Sequence, residues 1–223
     1  LGVALDILKR TAEAIPHYEA ALRRDPNLAQ AHNNLGDALS RIGRDTEGIG
    51  HLQEALRLKP GYFEAHYNFA AALARAGRMA EAQAQFTIGL RLKPDDAEAH
   101  TNWGNVLLAT GHPAGAAAQF ETALRLQPNS ASSHYNYGSV LAGTGQFAEA
   151  VPQPEALAHY EAALRLNPNH APAHNNLGLA LARLGRLPEA AGQFAEAVRL
   201  APNYQEAREN LARAQDQLRP PPP

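Results

Sequence analysis

The sequence predicts an all-α solenoid built from stacked antiparallel helical hairpins. Three observations lead to this fold class: a proline recurs at a nearly constant interval, apolar residues between the prolines follow helical spacing, and a glycine divides each interval into two blocks. The recurring prolines are Pro26, Pro60, Pro94, Pro128, Pro168 and Pro202, at intervals of 34, 34, 34, 40 and 34 residues. Such a constant interval indicates a repeat architecture, in which each unit packs on its neighbours.

The chain divides into repeat units when the first position of a unit is set at Ala29. A partial unit at 1–28 precedes full units at 29–62, 63–96, 97–130, 131–170 and 171–204, and a terminal capping helix is expected at 205–218. The unit at 131–170 has six extra residues around Ala148–Gln153, where we expect a longer turn because Pro152 and Pro154 cannot both lie inside a continuous helix. Residues 1–218 are therefore predicted to form a single solenoid, and residues 219–223 a proline-rich tail or linker.

Each full unit contains two helical blocks. In unit 29–62 the first block has apolar residues at the spacing of one buried helix face, namely Ala31, Leu35, Ala38, Leu39 and Ile42. The second block continues the pattern with Ile49, Leu52, Ala55 and Leu56. The blocks are separated by Gly43, whose counterparts are Gly77, Gly111, Gly145 and Gly185, and this position predicts a tight turn in which glycine adopts a positive φ.

Small and aromatic residues recur at fixed positions within the units. One position of the first helix holds Gly36, Gly104, Gly138 and Gly178, and one position of the second helix holds Phe86, Phe120, Tyr160 and Phe194. Hairpins of 34 residues with these glycine, aromatic and proline positions resemble the tetratricopeptide repeat (TPR). The resemblance implies a right-handed superhelix whose first helices line the concave surface. Lys9 departs from the pattern, since it occupies the turn-glycine position of the partial unit.

Composition excludes several functional classes. The 20 Lys+Arg and 22 Asp+Glu give a net charge of −2, which provides no field for attracting a polyanion, so nucleic acid is not an expected partner. Without cysteine the chain has no thiolate nucleophile and no cysteine zinc site. The apolar run Phe69–Ala74 is far shorter than the ~20 residues of a spanning helix, so no direct membrane insertion is expected. The compartment is left open, with a soluble cytoplasmic protein favoured.

The sixth position of every full unit is an asparagine, and it lies off the core face of the first helix. These residues are Asn34, Asn68, Asn102, Asn136 and Asn176; the same surface carries Tyr67, Tyr135, Asn33, Asn105 and Asn175. A carboxamide offers both a donor and an acceptor, so a ladder of asparagines can bind a peptide backbone whatever its side chains. We therefore predict peptide binding by these ten residues. The alternative is that the asparagines belong to the repeat consensus and have only a structural role.

Two positions before the ladder, the first helix carries a histidine: His32, His66, His100, His134 and His174. The resulting His-x-Asn-Leu-Gly phrase is similar to the repeats of O-linked N-acetylglucosamine transferases, which implies an arm that presents protein substrates to a catalytic domain. A metal site is not expected, because equivalent residues of successive units lie about 8–10 Å apart and cannot converge on one ion. We expect these histidines to pack within the fold.

The sequence has no phosphate-binding glycine loop, no nucleophile elbow and no isolated carboxylate pair, so no catalytic residue and no cofactor are expected. The predicted function is a non-catalytic scaffold that binds proteins or extended peptides. Two alternatives remain open: an assembly scaffold that binds folded partners, and the soluble tail of a membrane protein. Leu5, Leu8 and Ile15 are expected to be poorly covered in the partial unit, which favours self-association through the N-terminal end.

Overall fold

A computed structural model describes residues 1–143 and 153–219, and all regular secondary structure in these ranges is α-helical. The helices are α1 (Gly2–Ile7), α2 (Thr11–Arg24), α3 (Ala29–Arg41), α4 (Asp45–Leu58), α5 (Phe63–Arg75), α6 (Met79–Leu92), α7 (Ala97–Ala109), α8 (Pro113–Leu126), α9 (Ala131–Gly143), α10 (Gln153–Leu166), α11 (Ala171–Arg183), α12 (Leu187–Leu200) and α13 (Gln205–Leu218). The prediction of an all-α helical solenoid is confirmed. In the described part of the chain, no helix is both long and apolar enough to cross a bilayer.

The helices form two compact halves, an N-terminal half at Leu1–Thr110 with α1–α7 and a C-terminal half that begins at Gly111 with α8–α13. Hairpins α3–α4 and α5–α6 in the first half, and α9–α10 and α11–α12 in the second, make the most extensive helix contacts. First helices of successive units also touch, as in the pairs α3–α5 and α5–α7. Each half is therefore a stack of hairpins. That the whole of 1–218 forms one solenoid stays a prediction.

The turn between the two helices of a hairpin has the backbone conformation that the glycine position predicts. Gly43 has φ 84°, and Gly77, Gly111 and Gly185 each have φ 76°. Lys9, at the same position of the partial unit, adopts φ 59°, a left-handed conformation that side chains rarely occupy. The predicted turn at Gly145 and the insertion around Ala148–Gln153 lie outside the described residues, except that α10 begins at Gln153.

Aromatic side chains of the second helices lie at the centre of the hairpin cores. Phe86, Phe120, Tyr160 and Phe194 are all at most 2% exposed. In the N-terminal half Phe86 packs with residues such as Phe69 and Leu73, and in the C-terminal half Phe194 packs with Leu177 and Leu181. The small residues of the first helix leave space for these rings, so the core of each half follows the repeat pattern.

The partial unit is better covered than the sequence suggests. Leu5 and Ile15 are buried, at 9% and 6% exposed, because they pack with Tyr18, Leu35 and other residues of α1–α3. The expectation that both would be poorly covered is wrong, since side chains of α1, α2 and α3 form one cluster that encloses Leu5 and Ile15. Leu8 is 65% exposed, as predicted. Large apolar side chains that remain exposed in this region are Leu1, Val3, Ile7 and Leu8.

Candidate functional site

The N-terminal half has an open groove on its first helices. A cavity of about 570 Å³ lies over α3, α5 and α7. Its lining comprises Asp37, Arg41, Tyr67, Asn68, Ala71, Ala74, Arg75, Phe86, Glu98, Asn102, Asn105 and Val106. The structure therefore brings together four of the predicted site residues, Tyr67, Asn68, Asn102 and Asn105, in one groove.

The ladder asparagines donate hydrogen bonds between repeats. Nδ2 of Asn68 donates to Oδ1 of Asn33 over 3.0 Å, and Nδ2 of Asn102 donates to the hydroxyl of Tyr67. In each case the acceptor lies at the fifth position of the preceding unit. One N–H of each carboxamide is therefore already used inside the fold.

The C-terminal half repeats this arrangement. Nδ2 of Asn210, at the ladder position of α13, donates to Oδ1 of Asn175 over 2.9 Å. Nδ2 of Asn176 lies 3.5 Å from both the Tyr135 hydroxyl and Oγ of Ser139. This bond between successive repeats is therefore observed for Asn68, Asn102, Asn176 and Asn210, and it gives these asparagines a structural role that the sequence leaves as an alternative.

Two predicted binding residues lie beneath the surface. Asn33 is 4% exposed and Asn175 is fully buried, so neither can contact a peptide from the groove. This corrects their expected role. Both instead accept the bond from the next ladder asparagine, and Asn175 also lies 3.3 Å from the Tyr204 hydroxyl and from Oε1 of Glu206. The fifth position was assigned to the groove from helical spacing alone, which does not show that the neighbouring helix covers it.

The acceptor half of two ladder residues is unused. Within residues 1–143 and 153–219, no group donates a hydrogen bond to Oδ1 of Asn68 or of Asn102, and both side chains line the groove. By contrast, Oδ1 of Asn34 accepts from Nδ2 of Asn33 over 3.1 Å, and Oδ1 of Asn176 accepts from Asn175 over 3.4 Å. The groove therefore presents two carbonyl acceptors on neighbouring helices.

Tyr67 anchors the wall of the groove between these asparagines. Its hydroxyl donates to Oε1 of Glu98 over 2.9 Å, and its ring contacts Phe63 and Phe86 at centroid distances of 6.3 and 6.1 Å. Burial, followed by the charge of Glu98, raises the pKa of the Tyr67 hydroxyl well above its ordinary value. Tyr67 is therefore held neutral and oriented, with its hydroxyl bonded to both Glu98 and Asn102.

Both arginines at the groove are paired with carboxylates. Nη1 of Arg41 lies 3.8 Å from carboxylate oxygens of both Asp37 and Asp6, and Nε of Arg75 lies 3.3 Å from Oδ1 of Asp45. Burial raises the pKa of Asp37, while Arg41 and Arg75 oppose the shift. Because the lining holds two carboxylates, Asp37 and Glu98, and two arginines, the groove shows no excess charge of either sign with which to select a strongly charged ligand.

The C-terminal half has a smaller cavity, of about 130 Å³, which Ser139, Tyr160, Asn176 and Arg183 help to line. Asn176 contacts the predicted site residue Tyr135 at this place, and Nη1 of Arg183 donates to the carbonyl oxygen of Ala142 over 3.0 Å. Asn136 is half-buried and already has an interaction within the fold.

The histidine column connects each first helix to the preceding turn. Nε2 of each histidine lies about 3 Å from a proline carbonyl oxygen six residues earlier, in the pairs His32–Pro26, His66–Pro60, His100–Pro94, His134–Pro128 and His174–Pro168. From the sequence these histidines were expected only to pack within the fold, although the constant spacing of six residues between proline and histidine is a signal for this hydrogen bond. In the described ranges, no three histidine or acidic side chains are arranged to hold a metal ion.

Several solved structures share the fold at low sequence identity. YrrB, a TPR protein with an unusual peptide-binding site, is 22% identical, with a TM-score of 0.68, over 86% of this chain and 96% of its own. PilF of Pseudomonas aeruginosa is 21% identical, with a TM-score of 0.82, over 95% and 94%. A chain of the APC/C hetero-tetramer Cut9–Hcn1 is 19% identical, with a TM-score of 0.81, over 96% of this chain and 41% of its own. At these identities the similarity establishes the fold alone.

Sequence profiles give a more specific result. No curated protein sequence matches the chain significantly. One profile of the tetratricopeptide repeat matches residues 4–63, 101–153 and 154–205, and a second matches residues 46–101. Together with the hairpin geometry, these matches over most of the sequence establish that the chain belongs to the tetratricopeptide repeat family.

Proposed function

We propose that the protein is a non-catalytic scaffold that holds an extended polypeptide in the groove of its N-terminal half. The observation that carries this proposal is the pair of unused carbonyl acceptors, Oδ1 of Asn68 and of Asn102, on adjacent first helices of an open cavity. Membership of the TPR family and the similarity to YrrB, which has a peptide-binding site, support it.

In this proposal the asparagines act as acceptors rather than as donor–acceptor pairs. Their Nδ2 groups stay bonded to Asn33 and Tyr67, while Oδ1 of each receives a backbone N–H of the ligand. Neighbouring helices lie ~8–10 Å apart and an extended peptide rises ~3.3 Å per residue, so the two oxygens meet peptide N–H groups about three residues apart. The spacing therefore suits a backbone in extended conformation.

The remaining lining of the groove suits small apolar side chains. Ala71, Ala74 and Val106 provide the apolar part of the lining, while the paired charges of Arg41 and Arg75 stand at its edge. Each neutral hydrogen bond contributes roughly 0.5–1.5 kcal/mol net, and ordering of the peptide opposes binding. We therefore expect affinities of about micromolar strength with broad sequence tolerance.

Substitutions at Asn68 and Asn102 test the proposal by separating acceptor from donor. Asn68→Ala with Asn102→Ala removes both oxygens and is expected to weaken binding of neutral extended peptides about tenfold. Asn68→Asp keeps an acceptor but removes the donor, so binding should persist. Asn203→Ala, an exposed asparagine outside the groove, is the matched control.

Peptide-array selection followed by calorimetry would supply the ligands, and circular dichroism would monitor the fold of each variant. If Asn68→Ala and Asn68→Asp weaken binding equally, the asparagine acts only through its bond to Asn33, and the proposed recognition is wrong. If the double alanine variant binds unchanged, the groove is not the binding site.

A more specific role is substrate recruitment for a larger protein such as an O-linked glycosyltransferase. It is supported by the phrases His32-Asn33-Asn34-Leu35-Gly36 and His174-Asn175-Asn176-Leu177-Gly178. The test is to add the chain to a reaction between an O-linked glycosyltransferase and peptide acceptors that bind the groove. The chain should sequester these acceptors and slow their glycosylation in proportion to their affinity for the groove.

A second candidate function is assembly with a folded partner or a second copy of the chain. It is favoured by the exposed apolar side chains of α1 and its flanks, with Leu1 81%, Ile7 76% and Leu8 65% exposed. Sedimentation of the native chain and of the variant Ile7→Lys with Leu8→Lys tests it. A self-associating protein should become monomeric in the variant, whereas two monomers of equal size would exclude this face.

A further inference from the structure

Two hairpins contain a pair of histidines where the others contain histidine and glutamine. Nδ1 of His32 lies 3.0 Å from Nδ1 of His51, and Nδ1 of His134 lies 2.9 Å from Nδ1 of His159. The ring centroids are 5.2 and 5.1 Å apart, with the same interplanar angle of 34° in both pairs. The same local geometry therefore forms once in each half of the molecule.

The proton positions in these pairs follow from the neighbouring proline carbonyls. A carbonyl oxygen can only accept, so Nε2 of His32 and of His134 must carry the proton that it donates to Pro26 and Pro128. A bond between the two Nδ1 atoms then requires one proton shared between them. The neutral pair and the singly charged pair both satisfy this condition. A doubly charged pair places two N–H groups face to face, and the bond is lost.

The glutamine hairpins do not have this restriction. Nδ1 of His66 lies 2.7 Å from Oε1 of Gln85, and Nδ1 of His174 lies 2.7 Å from Oε1 of Gln193. An amide can present its NH₂ group to a neutral histidine and its oxygen to a charged one by rotating about its terminal bond. These hairpins therefore keep the contact in either protonation state.

The surroundings of His51 and His159 disfavour the charged form of each ring. Burial, followed by His32, lowers the pKa of His51, and this shift is opposed by Glu19 of α2 and by Glu47 of α4. Glu54 of α4 also interacts electrostatically with His32.

The second pair has a similar environment. Burial, followed by His134, lowers the pKa of His159 against the opposing charge of Glu155. The ring of Tyr137 also packs on His159 at a centroid distance of 4.7 Å.

We propose that the pairs His32–His51 and His134–His159 are acid-sensitive latches that loosen the hairpins α3–α4 and α9–α10 when each pair takes up its second proton. Hairpins α5–α6 and α11–α12, which use glutamine, stay closed. Because α3 carries Asp37 and Arg41 of the groove, acid also changes one wall of that groove. The latch is a property of the fold and does not depend on which ligand the groove binds.

The direction of the pH effect follows from proton linkage. An unfolded histidine binds its proton near pH ~6.5, whereas the folded pair resists its second proton. The unfolded state therefore binds more protons as the pH falls below ~6.5, so the latches contribute fully above that pH and are lost as the solution becomes more acidic.

Three proteins distinguish the latch from general acid sensitivity: the native chain, H51Q/H159Q, and Q85H/Q193H. In thermal melts, the Tm of the native chain should fall between pH 8 and pH 5. The Tm of H51Q/H159Q should fall by about 2–4 °C less over the same range. Q85H/Q193H should show a steeper fall. The carboxylates are the same in all three proteins, so their contribution to the pH dependence of Tm cancels when the slopes are compared. Equal slopes in the three proteins would overturn the proposal.

Histidine nitrogen spectra separate the latch from simple burial of a histidine. The native pairs should show Nε2-protonated His32 and His134 at neutral pH, and two proton uptakes that are separated by more than about one pH unit. In H51Q/H159Q the two-step uptake should be absent. A single independent step for each histidine of the native pairs would show that no proton is shared, and the latch would be excluded.

Discussion

Replacing Gly36 with alanine tests how closely α3 and α4 approach each other. A Cβ on Gly36 would lie 2.6 Å from Cγ of Leu52 and 2.8 Å from the carbonyl oxygen of Gly48. Leu52 is fully buried and the carbonyl belongs to the backbone of α4, so neither atom can move without shifting the helix. Overpacking of this kind costs about 1–3 kcal/mol.

Gly50→Ala is the matched control, because a Cβ at Gly50 of α4 meets nothing within 4 Å. Both substitutions gain about 1 kcal/mol of helix propensity, so the difference between the two variants isolates the overpacking cost. We expect the Gly36→Ala protein to have a free energy of unfolding about 1–3 kcal/mol below that of Gly50→Ala in urea melts, and a Tm lower by about 2–4 °C per kcal/mol. Equal stabilities would refute the close approach of the two helices.

The remaining predictions concern the cap, one turn and the groove wall. Asn175→Ala leaves buried Nδ2 of Asn210 without its acceptor, so the free energy of unfolding should fall by about 1–3 kcal/mol, and hydrogen exchange should report earlier opening of α13. Lys9→Gly removes a side chain from a backbone with φ 59° and should raise the free energy of unfolding by up to about 1 kcal/mol in a denaturant titration. Glu98→Gln removes the charge that helps to raise the pKa of Tyr67, so that tyrosine should ionise at lower pH in an ultraviolet titration.

The fold was predictable because every full unit repeats the same residue pattern. Apolar spacing, the turn glycine and the closing proline each indicate a helical hairpin, and their recurrence at one interval removes the ambiguity of a single match. The error at Leu5 and Ile15 has a physical cause: the sequence shows which neighbours a partial unit lacks, but it does not show how completely α1, α2 and α3 cover one another.

The candidate site was predictable only in part, because helical spacing places a residue on a face without showing what lies beside it. Tyr67, Asn68 and Asn102, which helical spacing places on one surface, line one cavity, and their role in peptide binding stays a prediction. The same spacing places Asn33 in the groove, although the next unit buries that side chain. Burial by a neighbour depends on the offset between successive hairpins, and no pattern within a single helix records that offset.

The hydrogen bonds that ladder asparagines donate to the preceding repeat change what the recurrence of asparagine in the sequence can indicate. At the terminal helix, Asn210 is 6% exposed, its Nδ2 is bonded to Asn175, and its Oδ1 accepts from Nη2 of Arg213 over 3.1 Å, so this asparagine is fully explained without any ligand. Stacking alone can therefore account for an asparagine in every unit. The feature that distinguishes Asn68 and Asn102 is that the fold uses one N–H of each, while no group among the described residues donates to their Oδ1 atoms, which face an open groove. Recognition is accordingly expected to concentrate at these two positions rather than to extend evenly along the ladder.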